Sequence, residues 1–256
     1  MSTTIWHAER FFAPLLLGIA LPLAAHAAAS ASTDSARYRN CVNASSTSPA
    51  SALGDAESWA KSGGGVPAQH CAALALFNLR RYAEAGSRLD RIAGDRAVPD
   101  ASFRVALFDQ AGNAWLLAGE GAKAVQSLTA ALALSPGDPD LYTDLARAQA
   151  MVRNWPEVVL DLDAALQMAP RRADLLVLRA SAHRALKQYA QARSDIALAL
   201  KLKPGDPDVL VESGLLRRQL GDVGGARRDF QAALKKAAGA TAAQARENLD
   251  SLGRQP

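Results

Sequence analysis

Two short combinations of residues in this sequence could take part in chemistry, and both are incomplete. His70 directly precedes Cys71, and with the distant Cys41 these side chains suggest a metal site or a cysteine nucleophile with a histidine base. A stable zinc site usually needs four ligands at short spacings, and the sequence offers no such set. Adjacent residues on a helix point about 100° apart, so His70 cannot readily take a proton from Cys71. The pattern therefore predicts neither a metal cofactor nor a catalytic cysteine.

The other candidates for chemistry are explained more simply by structure. The glycine run 63–65 lacks the following Lys and Ser/Thr of a phosphate-binding loop, which favours a flexible turn between helices. No serine of the sequence stands in a recognisable nucleophile motif. His183 falls in the helical repeats described next, at a position that lines the core. The sequence therefore predicts a protein that is not an enzyme and that needs no cofactor.

The elements that would position any site are set by a 34-residue period. Pro136, Pro170 and Pro204 stand 34 residues apart, and each closes a stretch long enough for one helical hairpin. Positions 8, 20 and 27 of the units are mostly small, and position 24 is large and apolar. In order of position, these residues are Gly112, Ala146, Ala180, Gly214; Ala124, Val158, Ala192, Ala226; Leu128, Leu162, Ile196, Phe230; and Ala131, Ala165, Ala199, Ala233. Such a period predicts a stacked array of helix pairs.

The connections between units carry helix-start signals. Asp138 and Asp206 precede Pro139 and Pro207, so the aspartates are predicted to cap the next helix while proline occupies its first position. Within the second full unit, Asn154 is predicted to cap the second helix in the same way. Loss of such a cap should cost roughly 1 kcal/mol.

The repeat residues resemble those of tetratricopeptide repeat proteins. That family favours a large residue, Leu, Gly, Tyr, Ala, Phe, Ala and Pro at eight fixed positions of each unit. The unit beginning at Val105 matches in part, with Phe108, Ala111, Gly112, Trp115, Ala124, Leu128, Ala131 and Pro136. The resemblance implies an all-α fold: a right-handed α-solenoid of helix pairs with a C-terminal capping helix. It also implies a concave face lined by the first, or A, helix of each pair.

The chain divides into nine predicted segments. They are a signal peptide (1–27), a disordered lead-in (28–34), a degenerate helical pair (35–65), a divergent repeat plus linker (66–104), four repeats (105–138, 139–172, 173–206 and 207–239), and a capping helix with a tail (240–256). The signal peptide is indicated by Arg10, the apolar run 11–25 and the small-residue site at 25–27. An uncleaved N-terminal anchor is the alternative, although the apolar run is shorter than the roughly 20 residues that span a bilayer.

Export and the even number of cysteines predict a disulfide between Cys41 and Cys71. In the resembling stacks, these residues would lie in neighbouring A helices. A bridge closing a loop of about 30 residues could stabilise the fold by roughly 3–4 kcal/mol. Two buried free thiols are the alternative.

The family resemblance also implies which residues bind a partner. The polar residues at the concave positions are Asp109, Asn113, Thr143, Arg147, Ser181, Arg184 and Arg218, among the apolar Leu116, Val177, Val211 and Leu215. Arg147 and Arg184 are the predicted anchors for a partner carboxylate, with solvated surface charges as the alternative. We expect reversal of both to Glu to leave the fold almost unchanged. The Lys and Asn with which some family members hold chaperone tails are absent from the matching positions.

Together these features predict an exported, periplasmic scaffold that binds a protein or peptide of the cell envelope on its concave face. The formal net charge of +4 is mild and the arginines are scattered, which argues against a nucleic-acid partner. No membrane span is expected after cleavage of the signal peptide. A non-catalytic accessory subunit of an envelope enzyme or assembly complex is the alternative, and self-assembly through the solenoid ends is a third reading.

Overall fold

A computed structural model of the chain describes residues 23–96, 98 and 100–253, and each regular element in these residues is an α-helix. The helices, in chain order, are α1 Leu23–Thr47, α2 Pro49–Lys61, α3 Gly65–Asn78, α4 Tyr82–Ala93, α5 Ala101–Ala118, α6 Gly121–Leu134, α7 Pro139–Met151, α8 Trp155–Met168, α9 Ala173–Ala185, α10 Tyr189–Leu202, α11 Pro207–Gln219, α12 Val223–Leu234 and α13 Gly239–Gly253. None of the described helices is both long enough and apolar enough to cross a membrane.

The helices pack as consecutive helical hairpins that stack on one another. Each odd-numbered helix from α1 to α11 contacts the even-numbered helix that follows it, and the A helices also contact each other, as α5 does α7 and α9 does α11. The last helix, α13, packs against α11 and α12. The predicted all-α solenoid of helix pairs with a capping helix is therefore confirmed.

The small and large repeat positions build the shared core. The residues at positions 20, 24 and 27 of the four full units are at most 5% exposed. Where position 8 is glycine, the facing helix comes too close for a side chain: a Cβ on Gly214 would lie 2.6 Å from the ring of Phe230, and one on Gly112 would overlap Leu128. This close approach is why a small residue recurs at position 8.

The aspartate caps are present, and the asparagine cap is not. Asp138 Oδ1 accepts the backbone N–H of Asp140 at 2.9 Å, and Asp206 Oδ1 accepts that of Asp208 at 3.0 Å. Asn154 stands at the N-cap of α8, but its side chain makes no capping bond and donates to Gln149 Oε1 at 3.1 Å instead. The prediction for Asn154 was therefore wrong, because the Gln149 amide oxygen lies within reach of its Nδ2.

The turn inside each of the five helix pairs from α3–α4 to α11–α12 contains a residue in the left-handed conformation. Gly119 and Gly221 have φ of 78° and 85°, and the equivalent Arg80, Arg153 and Lys187 each have φ of 61°. Glycine adopts this conformation freely, whereas a side chain makes it costly by about 1–2 kcal/mol. Three of the five turns therefore carry a local strain that the packed helices hold in place.

Position 23 places a polar side chain between the two helices of a unit. Asp195 accepts two hydrogen bonds from the Arg179 guanidinium, at 2.6 and 3.0 Å. Asp229 is held by Arg217 at 3.0 Å and by the Ser213 hydroxyl at 2.7 Å. Both carboxylates thus have a basic partner on the A helix of their own unit.

Asp161 occupies the same position in its unit and lacks such a partner. Its Oδ2 is buried and without a hydrogen bond among the residues that the structure describes. The A-helix positions that carry Arg179 and Arg217 in the next two units are Leu145 and Gln149 here. Burial first, and then the charge of Glu157, raises the pKa of Asp161 to about 6.

The N-terminal helices differ from the sequence prediction in extent. Helix α1 starts at Leu23, so it includes residues 28–34, for which a disordered lead-in was predicted. This segment is rich in alanine, the strongest helix former, and it continues directly into the part of α1 that packs on α2 and α3. The predicted signal peptide falls largely on residues 1–22, which lie outside the described residues.

A disulfide joins the first two helix pairs. Cys41 on α1 and Cys71 on α3 are bonded, with 6.0 Å between their Cα atoms. The two helices are neighbouring A helices, which confirms the predicted pairing and its place in the stack. Free thiols are absent from the described residues.

Candidate functional site

A groove runs along the surface formed by the A helices α7, α9 and α11, which we call the A-face. Its first part, the charged half, lies between α9, α11 and α13 and has a volume of about 340 Å³. Its second part, the apolar half, lies between α7, α8 and α9 and has a volume of about 330 Å³. Arg147, Leu178 and Ser181 line both halves, so the two parts meet at these residues.

The two halves differ in chemistry. The side chains that distinguish the charged half are Asp174, Val177, Lys203, Asp206, Asp208, Val211, Glu212 and Gln244. Those that distinguish the apolar half are Ala146, Ala150, Met151, Trp155, Val158 and Leu162. An extended segment lying along the groove would therefore meet a hydrophobic surface at one end and a line of carboxylates at the other.

Arg147 is the predicted anchor that the structure places in the groove. Its side chain is 49% exposed and donates one hydrogen bond, from Nη1 to Asp144 Oδ1 at 2.6 Å. Its remaining N–H groups are directed to no other described side chain. Arg147 can thus contact a bound segment, although it already holds a carboxylate of its own chain.

Arg184 does not match its predicted role. Its Nε donates to Glu212 Oε1 at 2.5 Å and its Nη2 to Oε2 at 3.2 Å, which makes a two-pronged pair between α9 and α11. The side chains of Arg184 and Glu212 are 23% and 8% exposed, and burial raises the pKa of Glu212 despite the arginine. Arg184 therefore pairs with a buried carboxylate, and from this contact we expect its reversal to Glu to destabilise the fold, in contrast to the expectation from the sequence.

Thr143 is also misplaced by the sequence prediction. It is 2% exposed, and its hydroxyl donates to the carbonyl oxygen of Pro139 at 2.7 Å within the first turn of α7. A threonine that bonds back to its own helix and lies in the core offers nothing to a partner. The groove floor is supplied instead by Leu178, one helical turn from Ser181 on α9.

Asp109 and Asn113 lie next to the groove, on α5. The Asn113 amide donates to Asp109 Oδ1 at 3.0 Å and to Asp144 Oδ2 at 3.2 Å, so it links two carboxylates of successive units. Burial, followed by the negative charges of Asp144, Asp138 and Asp140, raises the pKa of Asp109 to about 6. The part of this rise that the three neighbouring aspartates cause is consistent with a negative potential at the α5 end of the A-face.

Ser181 and Arg218 complete the predicted set. Ser181 lines both halves of the groove and accepts a hydrogen bond from Arg184 Nη2 at 3.3 Å. Arg218 donates to the Ser251 hydroxyl of α13 at 3.1 Å, so it contributes to the docking of the capping helix. Of the seven predicted residues, Arg147 and Ser181 line the groove directly, and Arg184 supports it through Glu212.

His70 and His183 form hydrogen bonds inside the array. His70 is 4% exposed; its Nδ1 pairs with the Tyr38 hydroxyl at 2.5 Å and its Nε2 with Gln110 Oε1 at 2.8 Å, which ties α3 to α1 and α5. His183 pairs with Gln188 at 2.7 Å across the turn of its own unit. The described residues contain no cluster of His, Cys, Asp or Glu that could hold a metal ion.

The groove residues that the sequence prediction missed share a repeat position. Leu178 and Glu212 both stand at position 6 of their units, next to the position 5 that the family resemblance indicated. Asp174 and Asp208 stand in the first turns of α9 and α11, where a negative charge is favourable, and they also line the groove. The signal that could have found them is the 34-residue spacing itself.

Comparison with known families supports the repeat assignment. Residues 178–250 match a sequence model described as tetratricopeptide repeat. This match covers the end of the array, from α9 to α13. No curated protein matches the chain.

Several solved structures resemble the fold. The C-terminal part of a TPR repeat-containing protein from Cytophaga hutchinsonii aligns with a TM-score of 0.61 at 17% identity, covering 77% of this chain and 78% of that one. A fragment of MamA from Desulfovibrio magneticus gives 0.58 at 17% identity, covering 66% and 93%. A thermophilic TPR protein of Thermus thermophilus gives 0.56 at 19% identity, covering 72% and 96%. At these identities the likeness concerns the fold alone, and with the family match it supports a tetratricopeptide-repeat protein.

Proposed function

We propose that this protein is a non-enzymatic scaffold that binds an extended segment of a protein partner in the A-face groove. The observation that carries the proposal is the groove itself, in which the junction of Arg147, Leu178 and Ser181 connects an apolar half with a charged half. Proteins with the tetratricopeptide repeat fold bind other proteins, and a groove of this kind suits a chain rather than a flat surface. The groove is formed on rigid helices, so little ordering is needed when a segment binds.

We further propose that the protein works outside the cytoplasm, in the cell envelope. The Cys41–Cys71 disulfide supports this location, because such bonds persist in oxidising compartments. The sequence pattern of residues 1–27 points in the same direction. Intact-mass measurement of the protein isolated from its producing cells tests both points. We expect a chain beginning at Ala28 with no alkylatable thiol, whereas a chain retaining residue 1 and two free thiols would contradict export.

The groove can be tested by photo-crosslinking in intact cells. A photoreactive amino acid at Ser181 should capture a partner, because this residue lies where the two halves meet. The matched control is the same amino acid at Leu160, which is 63% exposed on α8 and lines neither half. Equal capture from both positions, or capture from Leu160 alone, would place the contact elsewhere.

The alternative function is that of an accessory subunit of an envelope enzyme or assembly complex. It differs from the first proposal in what the partner does rather than in how it is held. The captured partner decides between them, since an accessory subunit should change the activity of the enzyme it crosslinks to. Self-assembly through the ends of the solenoid would instead give crosslinks between two copies of this chain.

A further inference from the structure

The groove has a chemical preference that follows from carboxylates without a basic partner among the described residues. This inference rests on the proposed function. We propose that the bound segment is cationic, with a large apolar side chain in the apolar half and a Lys or Arg in the charged half. The family resemblance in the sequence led to the opposite expectation, a partner carboxylate held by Arg147 and Arg184. The contacts of these residues in the structure reverse that expectation.

Two carboxylates at the end of the charged half have no cationic partner among the described residues. Asp206 Oδ1 accepts the backbone N–H groups of Asp208 and Val209, at 3.0 and 3.3 Å, and Asp208 Oδ1 accepts the hydroxyl of Thr241 at 2.7 Å. These hydrogen bonds come from neutral groups and engage one oxygen atom of each carboxylate. A Lys or Arg of a partner would find two acceptors here.

Three arginines at or beside the groove are already paired with carboxylates of this chain. Arg184 holds Glu212, and Arg147 holds Asp144 at 2.6 Å. Arg172 bridges Asp140 and Asp174 across two units. A carboxylate of a partner that binds one of these arginines would lie beside the carboxylate that the arginine already holds. This arrangement disfavours an acidic segment.

The charge around the groove is negative in a chain that is positive overall. Four carboxylates and two basic side chains line it, whereas the formal net charge of the whole chain is +4. The basic residues are Arg147 and Lys203, and the acidic ones are Asp174, Asp206, Asp208 and Glu212. The raised pKa of Asp109 in the neighbouring unit agrees with a negative potential in this region, since nearby aspartates contribute to the rise after burial. A cationic segment would therefore be attracted to this face and not to the rest of the surface.

The apolar half provides the second part of the recognition. Met151 is 43% exposed, and Trp155 and Leu178 are half-buried, so these side chains present an apolar surface that the array itself does not cover. A volume of about 330 Å³ accommodates one large apolar side chain. Burial of the partner's apolar side chain would give affinity. The carboxylates would select for Lys or Arg near that residue in the partner's sequence.

The experiment is a selection of random peptides displayed on phage against the purified, oxidised protein. We expect the enriched peptides to carry a net positive charge and at least one large apolar residue. The variant Asp206→Asn/Asp208→Asn should bind a synthetic peptide of the enriched sequence about three- to tenfold more weakly in low salt, since each exposed ion pair contributes modestly. Asparagine caps a helix as well as aspartate does, so the start of α11 is preserved.

The matched control is Asp100→Asn/Asp138→Asn, which removes the same charge from the aspartate caps of α5 and α7, outside the groove lining. It should bind the peptide within about twofold of the unmodified protein. Enrichment of anionic peptides that the variant binds as well as the unmodified protein would overturn the cationic preference but leave the groove as a binding site. If no enriched peptide binds at Arg147 or Ser181, the result would instead count against the proposed function itself.

Discussion

Replacement of Arg184 by Glu should destabilise the protein through the buried carboxylate that the arginine neutralises. In the native structure the Arg184 guanidinium makes two hydrogen bonds to Glu212, whose side chain is only 8% exposed. Removing one partner of a fully buried pair costs about 3–5 kcal/mol. Because the Arg184 side chain is 23% exposed, solvent screening moves the expected loss to the lower end, about 3 kcal/mol.

Thermal unfolding followed by circular dichroism measures this effect. For a chain of this size, about 3 kcal/mol corresponds to a fall in Tm of about 6–12 °C. Arg147→Glu is the matched control, since Arg147 is 49% exposed and donates one hydrogen bond to Asp144. We expect its Tm to fall by less than about 4 °C.

The pH dependence of the Arg184→Glu variant identifies the cause. Burial already raises the pKa of Glu212, and loss of the arginine removes the contacts that lower it. A carboxyl group with a raised folded-state pKa is most favourable to folding when protonated, so the penalty should shrink as the pH falls toward the unfolded value of about 4.3. A charge-exchanged variant, Arg184→Glu/Glu212→Arg, should recover part of the loss. A Tm within 2 °C of the unmodified protein at pH 7, or no recovery on exchange, would refute the reasoning.

Four further predictions concern single features of the array. Gln149→Arg should stabilise the fold by about 1 kcal/mol by giving Asp161 the partner that the following units possess, and it should have no such effect in the Asp161→Asn background. Asp161→Asn alone should reduce the loss of stability that raised carboxyl pKa values cause as the pH rises from about 4 to about 6, the value to which the pKa of Asp161 is raised, and the raised pKa of Asp109 should leave part of that loss in place. Lys187→Gly should raise stability by about 0.5–1 kcal/mol, because Lys187 has φ of 61°, and the reverse change at the equivalent Gly221 should lower it. Reduction of the Cys41–Cys71 bond should cost about 2–4 kcal/mol in urea unfolding, and a Cys41→Ser/Cys71→Ser variant should unfold at the same urea concentration with and without reductant.

The fold could be predicted from the sequence because its determinants repeat. The small residue at position 8 and the apolar residue at position 24 recur in four successive units, so the same evidence for a helix pair is present four times. The aspartate caps at 138 and 206 could be predicted for the same reason, since the two connections are near copies. The extent of α1 could not, because the segment has no repeat to align with and its alanine-rich composition suits a helix and a disordered chain alike.

The candidate site could be predicted only as a surface. Family register placed Arg147 and Ser181 correctly on the A-face, because a position within a repeat determines which way a helix residue faces. It could not show that Thr143 bonds back to Pro139, or that Glu212 lies opposite Arg184. Such contacts join side chains of different units, and they depend on which residue the neighbouring unit has at one particular position.

The charge of the groove could not be predicted from the sequence for a related reason. Counting Lys, Arg, Asp and Glu gives a mildly positive chain, and the family register suggested arginine anchors for a partner carboxylate. In the structure Arg147, Arg172 and Arg184 are paired with carboxylates of this chain, whereas Asp206 and Asp208 have no basic partner among the described residues. The sign of a binding surface therefore depends on which charges remain unpaired and not on the total.

The central claim, that the A-face groove binds an extended segment, is tested most directly by titration calorimetry with the segment captured through position 181. Ser181→Trp fills the junction of the two halves, and Leu160→Trp adds the same side chain to an exposed position of α8 outside the groove. We predict that Ser181→Trp weakens binding at least about tenfold, a loss of about 1.4 kcal/mol, while Leu160→Trp leaves it unchanged and both variants keep the helical content of the unmodified protein. Equal affinity of the Ser181→Trp variant and the unmodified protein would contradict the account.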